Sequence, residues 1–114
     1  MKILGIGLSH CCGITFIENG KVIFAQEEDR FTRKRRQKGW PQQTLNFFFD
    51  NFGLKEEDID LCVISDIQSA KIINKKINAK RTILLHHHLA HIMSGWAFSD
   101  SENCNFFSLD GGGD

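Results

Sequence analysis

An α/β fold with a mixed sheet is predicted by three features of the sequence. The opening third holds three strand-like runs joined by short turns. A helix-spaced apolar face follows them. Beyond it, strand-like and helix-like runs alternate to the end. The expected order is βββαβ(β)αβ, a three-strand meander with helices flanking the sheet.

"KILGIGLSH" reads as a buried strand. "ITFIE" and "KVIFAQ" are the arms of a hairpin, because the "NG" between them favours the tight turn that matches strand twist. A charged stretch, "EEDRFTRKRRQKG", comes next. In "WPQQTLNFFFDNFGL", Leu45, Phe48, Phe49 and Phe52 fall at i, i+3, i+4 and i+7, which is one face of a helix. Pro41 suits the first helical turn, and Gly53 is placed to end it. "IDLCVISD" reads as a buried strand, "IQSAKIINKKINAK" as weakly helical or irregular, and "RTILL" as a short strand. "HHHLAHIMSGWAFS" reads as a helix with Ala90, Ile92, Met93, Trp96 and Ala97 as apolar surface, and "NFFSLDGGGD" as a last strand entering a glycine turn.

The 114 residues suggest one domain with a modest core, and 41% are hydrophobic. Fourteen basic residues balance fourteen acidic ones, so no net field attracts nucleic acid or an anionic membrane. Ten phenylalanines and no tyrosine make a skewed aromatic set with no functional reading of its own. Cys11, Cys12, Cys62 and Cys104 match neither a zinc knuckle nor a disulfide framework, and are read as reduced thiols of a cytoplasmic protein. The first apolar run is interrupted by His10 and is too short for a secretion signal. No stretch approaches the roughly 20 apolar residues of a membrane span.

Four stretches can carry chemistry. "HHHLAH" concentrates four of the five histidines. His87 and His91, four apart, share a helix face and can converge on one ion; His88 and His91 are the competing pair. Two histidines and a carboxylate form a set with open positions that suits Fe2+, and also Zn2+ or Mn2+. Asp110, ending the following strand, is the carboxylate candidate. The plainer alternative is a set of capping or surface histidines. The "DGGGD" turn lets backbone N–H groups approach a phosphate, but it is not a Walker loop because no GK[ST] follows. The turn after the first strand presents His10 to a substrate or phosphate; the alternative is an ordinary solvent-facing hairpin. The charged stretch is either a solvated loop or an anion-binding loop using Arg30, Arg33 or Lys34.

Taken in order, "ILGIGLSH…GITFIENGKVIFAQEEDRFTRKR…GWP", "HHLAH" and "LDGGGD" resemble the N-terminal part of the carbamoyltransferases of the nodulation-protein and antibiotic O-carbamoylation type. The resemblance covers essentially the whole chain. It implies a ribonuclease H-like lobe of an actin-like ATPase domain over residues 1–114, with the rest of that domain and a YrdC-like domain as further parts of a longer enzyme. The implied activity uses ATP and carbamoyl phosphate to make carbamoyl-adenylate, and then carbamoylates a small-molecule hydroxyl acceptor. His87, His91 and Asp110 map to the family's divalent metal site, most often iron. Gly111, Gly112 and Gly113 map to a nucleotide-phosphate loop, and His10 to a histidine near the acceptor. The family has Asp where this chain has Cys11, and Glu where it has Asp114. The expected partners are the remaining domains of the same enzyme, with neither nucleic acid nor membrane; the open sheet edge leaves room for a homodimer. This stretch alone is expected to be inactive. The alternatives are a sugar-kinase-like ATPase lobe and a stand-alone metal-binding or regulatory module.

Overall fold

The computed structural model describes residues 1–66 and 76–108. Five strands, β1 (Lys2–Gly7), β2 (Gly13–Glu18), β3 (Lys21–Glu27), β4 (Leu61–Asp66) and β5 (Thr82–His86), form one mixed sheet in the order β3-β2-β1-β4-β5. The meander β1–β2–β3 is antiparallel, whereas β4 runs parallel to β1 and β5 parallel to β4. Three α-helices, α1 (Asp29–Thr32), α2 (Gln42–Phe52) and α3 (His87–Ala97), and a 3-10 turn at Glu56–Asp58 complete the described residues.

The expected hairpin is present, with only Asn19 and Gly20 between its arms. Both have positive φ (50° and 80°), which Asn and Gly adopt at little steric cost.

Strand alternation divides the sheet into two unlike faces. Leu4 and Ile6 of β1 pair in register with Phe16 and Ile14 of β2 and with Cys62 and Ile64 of β4, and all six are buried. Leu45 and Phe48 of α2 pack on this face, where Phe48 lies 4.9 Å from Phe16 and 5.7 Å from Phe24 between ring centroids. The aromatic cluster continues through Phe49 and Phe52, so the phenylalanine excess serves packing. The expected face of α2 is therefore the core face, although Phe52 at its end stays 39% exposed.

Three expectations need correction. Pro41 precedes α2 rather than sitting in its first turn. The charged stretch contains the unexpected short helix α1, which closes on its own backbone through the Arg33 N–H to Asp29 carbonyl bond. Residues 105–108 carry no strand: this stretch lies against α3, where Ser108 meets His88, instead of pairing with a sheet neighbour. The remainder of that expected strand, and the stretch 67–75 between β4 and β5, lie outside the described residues. Among the described residues no helix is long and apolar enough to cross a membrane.

Candidate functional site

The sheet face opposite α2 is open where the core face is filled. Gly5 and Gly7 of β1, Gly13 and Thr15 of β2, and Ser65 of β4 line a cleft of about 590 Å³. A side chain at Gly13 is sterically barred, because a Cβ there would stand 2.4 Å from the Gln26 carbonyl oxygen. Cys11, beside His10 in the turn after β1, edges the cleft at one side; Ala90 of α3 edges it at another.

The histidine cluster sits where β5 becomes α3. His86 is the helix N-cap, and its Nδ1 accepts the His88 N–H at 3.3 Å. One turn apart on α3, His87 and His91 bring their Nε2 atoms to 3.1 Å. Two metal–imidazole bonds of about 2.0–2.1 Å at right-angled to tetrahedral spacing separate their nitrogens by roughly 2.8–3.4 Å, so the 3.1 Å approach suits two ligands of one ion as well as an N–H···N bond between the rings. His88 is directed elsewhere: its Nδ1 is 2.8 Å from the Ser108 hydroxyl, and its ring lies 6.5 Å from that of His91. Between the two pairs left open by spacing, the structure thus brings together 87 and 91.

His10 is exposed, with its Nδ1 3.4 Å from Ser9 Oγ. Asp110 and the Gly111–Gly113 turn lie outside the described residues. Among the described residues no three His, Cys, Asp or Glu side chains converge as a metal site.

Both buried cysteines are held in the thiol form. Burial, helped by the nearby Glu28 carboxylate, pushes the Cys12 thiol up to about 11, and burial likewise raises Cys62 to about 11. Cys11 is exposed in a left-handed backbone (φ 57°), a conformation that Asn and Asp accept more readily than Cys.

One residue escaped sequence reasoning. Glu28, within "EEDRFTRK", is only 2% exposed. Its carboxylate accepts the N–H groups of Gln43 and Thr44 at 3.0 and 2.9 Å, and the Thr44 hydroxyl at 2.7 Å. It caps α2 from a distant part of the chain. The available signal was negative: "GWPQQT" offers no Ser, Thr, Asp or Asn just before the helix, so the first N–H groups had to find an acceptor elsewhere. The loop after Glu28 is tied down as well. The Cys12 N–H donates to the Gln37 carbonyl (2.9 Å), the Gly39 N–H donates to the Leu8 carbonyl (2.8 Å), and the Thr32 hydroxyl donates to Gln37 Oε1. Within it, Arg33 (φ 61°) and Arg36 (φ 53°) hold left-handed backbone that costs an ordinary residue about 1 kcal/mol or more.

Fold and site together define an α/β lobe: a mixed sheet with a glycine-lined face, edged by Ala90 of α3, and a close pair of histidines on that same helix. The chain belongs to the family described as the carbamoyltransferase N-terminus, whose profile matches residues 2–74. It is 29% identical over 119 aligned residues to an uncharacterized protein of Methanocaldococcus jannaschii, covering 98% of this chain and 22% of that protein. It is 23% identical over 136 residues to the nodulation protein NolNO of Sinorhizobium fredii, covering 92% of this chain and 20% of that one. A further uncharacterized protein, from Synechocystis, is 31% identical over 62 residues, covering 54% of this chain and 10% of that relative. The chain thus spans about a fifth of the length of the first two curated relatives. The family match stops before β5, so the histidine pair lies beyond the matched segment.

Proposed function

We propose that this chain is the N-terminal lobe of the actin-like domain of a cytoplasmic, ATP-dependent O-carbamoyltransferase. The longer enzyme would form carbamoyl-adenylate from ATP and carbamoyl phosphate and pass the carbamoyl group to the hydroxyl of a small-molecule acceptor. Family membership supports the transferase class. The strand order, with β2 alone reversed in the sheet, supports the ribonuclease H-like reading. The observation that carries the site is the 3.1 Å approach of the His87 and His91 Nε2 atoms on α3, the helix whose Ala90 lines the cleft.

In this reading His87 and His91 hold a divalent ion, Fe2+ before Zn2+ or Mn2+, with Asp110 as the carboxylate ligand. The ion, when bound, supplies positive charge that polarises carbamoyl or phosphate oxygens. The chain's own residues do the rest. His10, exposed at the turn beside the cleft, takes the proton from the acceptor hydroxyl as the new C–O bond forms and AMP departs. The backbone of Gly111, Gly112 and Gly113 cradles nucleotide phosphate. The glycines of β1 and β2 keep the cleft open.

Metal titration of the full protein tests the ligand pair. His87→Ala and His91→Ala are each expected to weaken divalent-metal affinity about tenfold or more, while His86→Ala leaves it within about twofold. Unchanged isotherms for both variants would overturn the assignment. An assay for ATP- and carbamoyl-phosphate-dependent acceptor carbamoylation tests the reaction. Metal binding without ATP affinity would instead identify a metal-binding or regulatory module.

A further inference from the structure

The loop that follows the buried Glu28 cap has properties that the proposed metal and acceptor groups leave unused. Between positions 30 and 38 stand Arg30, Arg33, Lys34, Arg35, Arg36 and Lys38, while the whole chain carries no net charge. The two acids just before them offset only part of this charge. Glu28 is buried under α2, and Asp29 Oδ1 lies 3.7 Å from Arg30 Nε.

The arginines do not splay along a solvated strand. Asp29, Arg30, Arg33 and Arg35 line a pocket of about 180 Å³, and Arg30 also lines the large glycine-walled cleft. The two spaces therefore share a wall. The loop is held to the turn after β1 through the Cys12–Gln37 and Leu8–Gly39 backbone bonds, so the pocket and the turn bearing His10 and Cys11 are positioned together. Arg33 holds its place in the pocket wall with left-handed backbone because it ends α1, its N–H bonded to the Asp29 carbonyl.

We infer that Arg30, Arg33 and Arg35 form an anion subsite at the mouth of the cleft, which takes the phosphate group of a small phosphorylated substrate. Guanidinium groups meet phosphate oxygens through paired, charge-assisted hydrogen bonds. The Asp29 carboxylate, 3.7 Å from Arg30 Nε, lowers the net charge of the pocket, which favours a compact phosphate over a long polyanion. A nucleic-acid surface fits less well, because the cationic patch is confined to one concave loop. The aromatic within the loop, Phe31, is half-buried against Phe47 at 5.2 Å rather than offered for base stacking. The inference rests on the carbamoyltransferase reading only for the identity of the substrate, ATP or carbamoyl phosphate; the subsite itself rests on the loop.

The test is calorimetric titration of the full protein with inorganic pyrophosphate. The double variant Arg33→Asn, Arg35→Ala is compared with a control, Lys76→Ala, Arg81→Ala, which removes two exposed charges elsewhere. Asn is used at 33 because it tolerates the left-handed backbone. Affinity is expected to fall about tenfold or more in the double variant and to stay within about twofold in the control. The single variant Arg35→Gln, with an unchanged melting temperature, should show part of the loss and guards against misfolding. Equal affinity in the double variant and the parent protein would overturn the subsite, as would an equal loss in the control. Repeating the titration with ATP and with carbamoyl phosphate identifies the source by which one loses affinity. A loss confined to a single-stranded oligonucleotide, with pyrophosphate unaffected, would overturn the inference in favour of nucleic acid. Metal titration of His87→Ala runs in parallel. Intact metal binding there, together with the expected arginine result, would remove the metal assignment and leave the subsite standing. The opposite pair of results would remove the subsite alone.

Discussion

The two faces of the sheet are made by the same strands and differ in almost every physical respect. Toward α2, β1 and β2 present Leu4, Ile6, Ile14 and Phe16, all at most 3% exposed, and Phe48 fills the space between them. Toward the cleft, the alternating partners in the same strands are Gly5, Gly7, Gly13 and Thr15. One face is closed by phenylalanine volume. The other is kept open by residues with little or no side chain. The alternation of one strand thus assigns one set of residues to folding and the neighbouring set to a cavity, with Cys11 and Arg30 among the residues that line it.

Three substitutions sharpen this contrast, from the largest expected effect on stability to the smallest. Phe48→Ala removes a ring that is fully buried against Phe16, Phe24, Phe49 and Phe52, and should destabilise the fold by about 3–5 kcal/mol in chemical denaturation. Glu28→Ala leaves the Gln43 and Thr44 N–H groups and the Thr44 hydroxyl without their acceptor. A loss of about 2–3 kcal/mol is expected, with faster hydrogen exchange at the start of α2; Glu28→Gln, which keeps an acceptor oxygen, should cost less. Ser65→Ala, on the cleft side of β4, should change stability by no more than about 0.5 kcal/mol. A loss at Ser65 approaching that at Phe48 would mean the cleft face is a second core, and the contrast would collapse.

Much of the fold was legible because its signals are local. The "NG" hairpin, the apolar face of α2, the β4 run and the helix carrying the histidines each depend on residues within a few positions of one another. The approach of His87 to His91 was legible for the same reason, since positions four apart on a helix face the same way whatever surrounds them. The choice between His88 and His87 as the partner of His91 was not local. It depends on Ser108, which draws the His88 ring away.

The charged stretch shows the limit most clearly. Read alone, "EEDRFTRKRRQKG" is a hydrophilic run in which every residue looks equally solvated. Folding separates its members: Glu28 becomes the most buried acid among the described residues, Asp29 is set beside Arg30, and the arginines beyond are held around a pocket by bonds to the turn after β1. No periodicity encodes this, because Glu28 is recruited by a helix that begins fourteen residues later and lacks a cap of its own.

The sequence by itself determined the order of the five strands with α2 and α3, the core face of α2, the hairpin and the histidine spacing, because each follows from backbone geometry over a few residues. Tertiary structure alone decided which face of the sheet stays open, where the buried carboxylate goes and which loop meets the cleft. Those outcomes depend on partners far apart in the chain, and they are settled only when burial forces each polar group to find one.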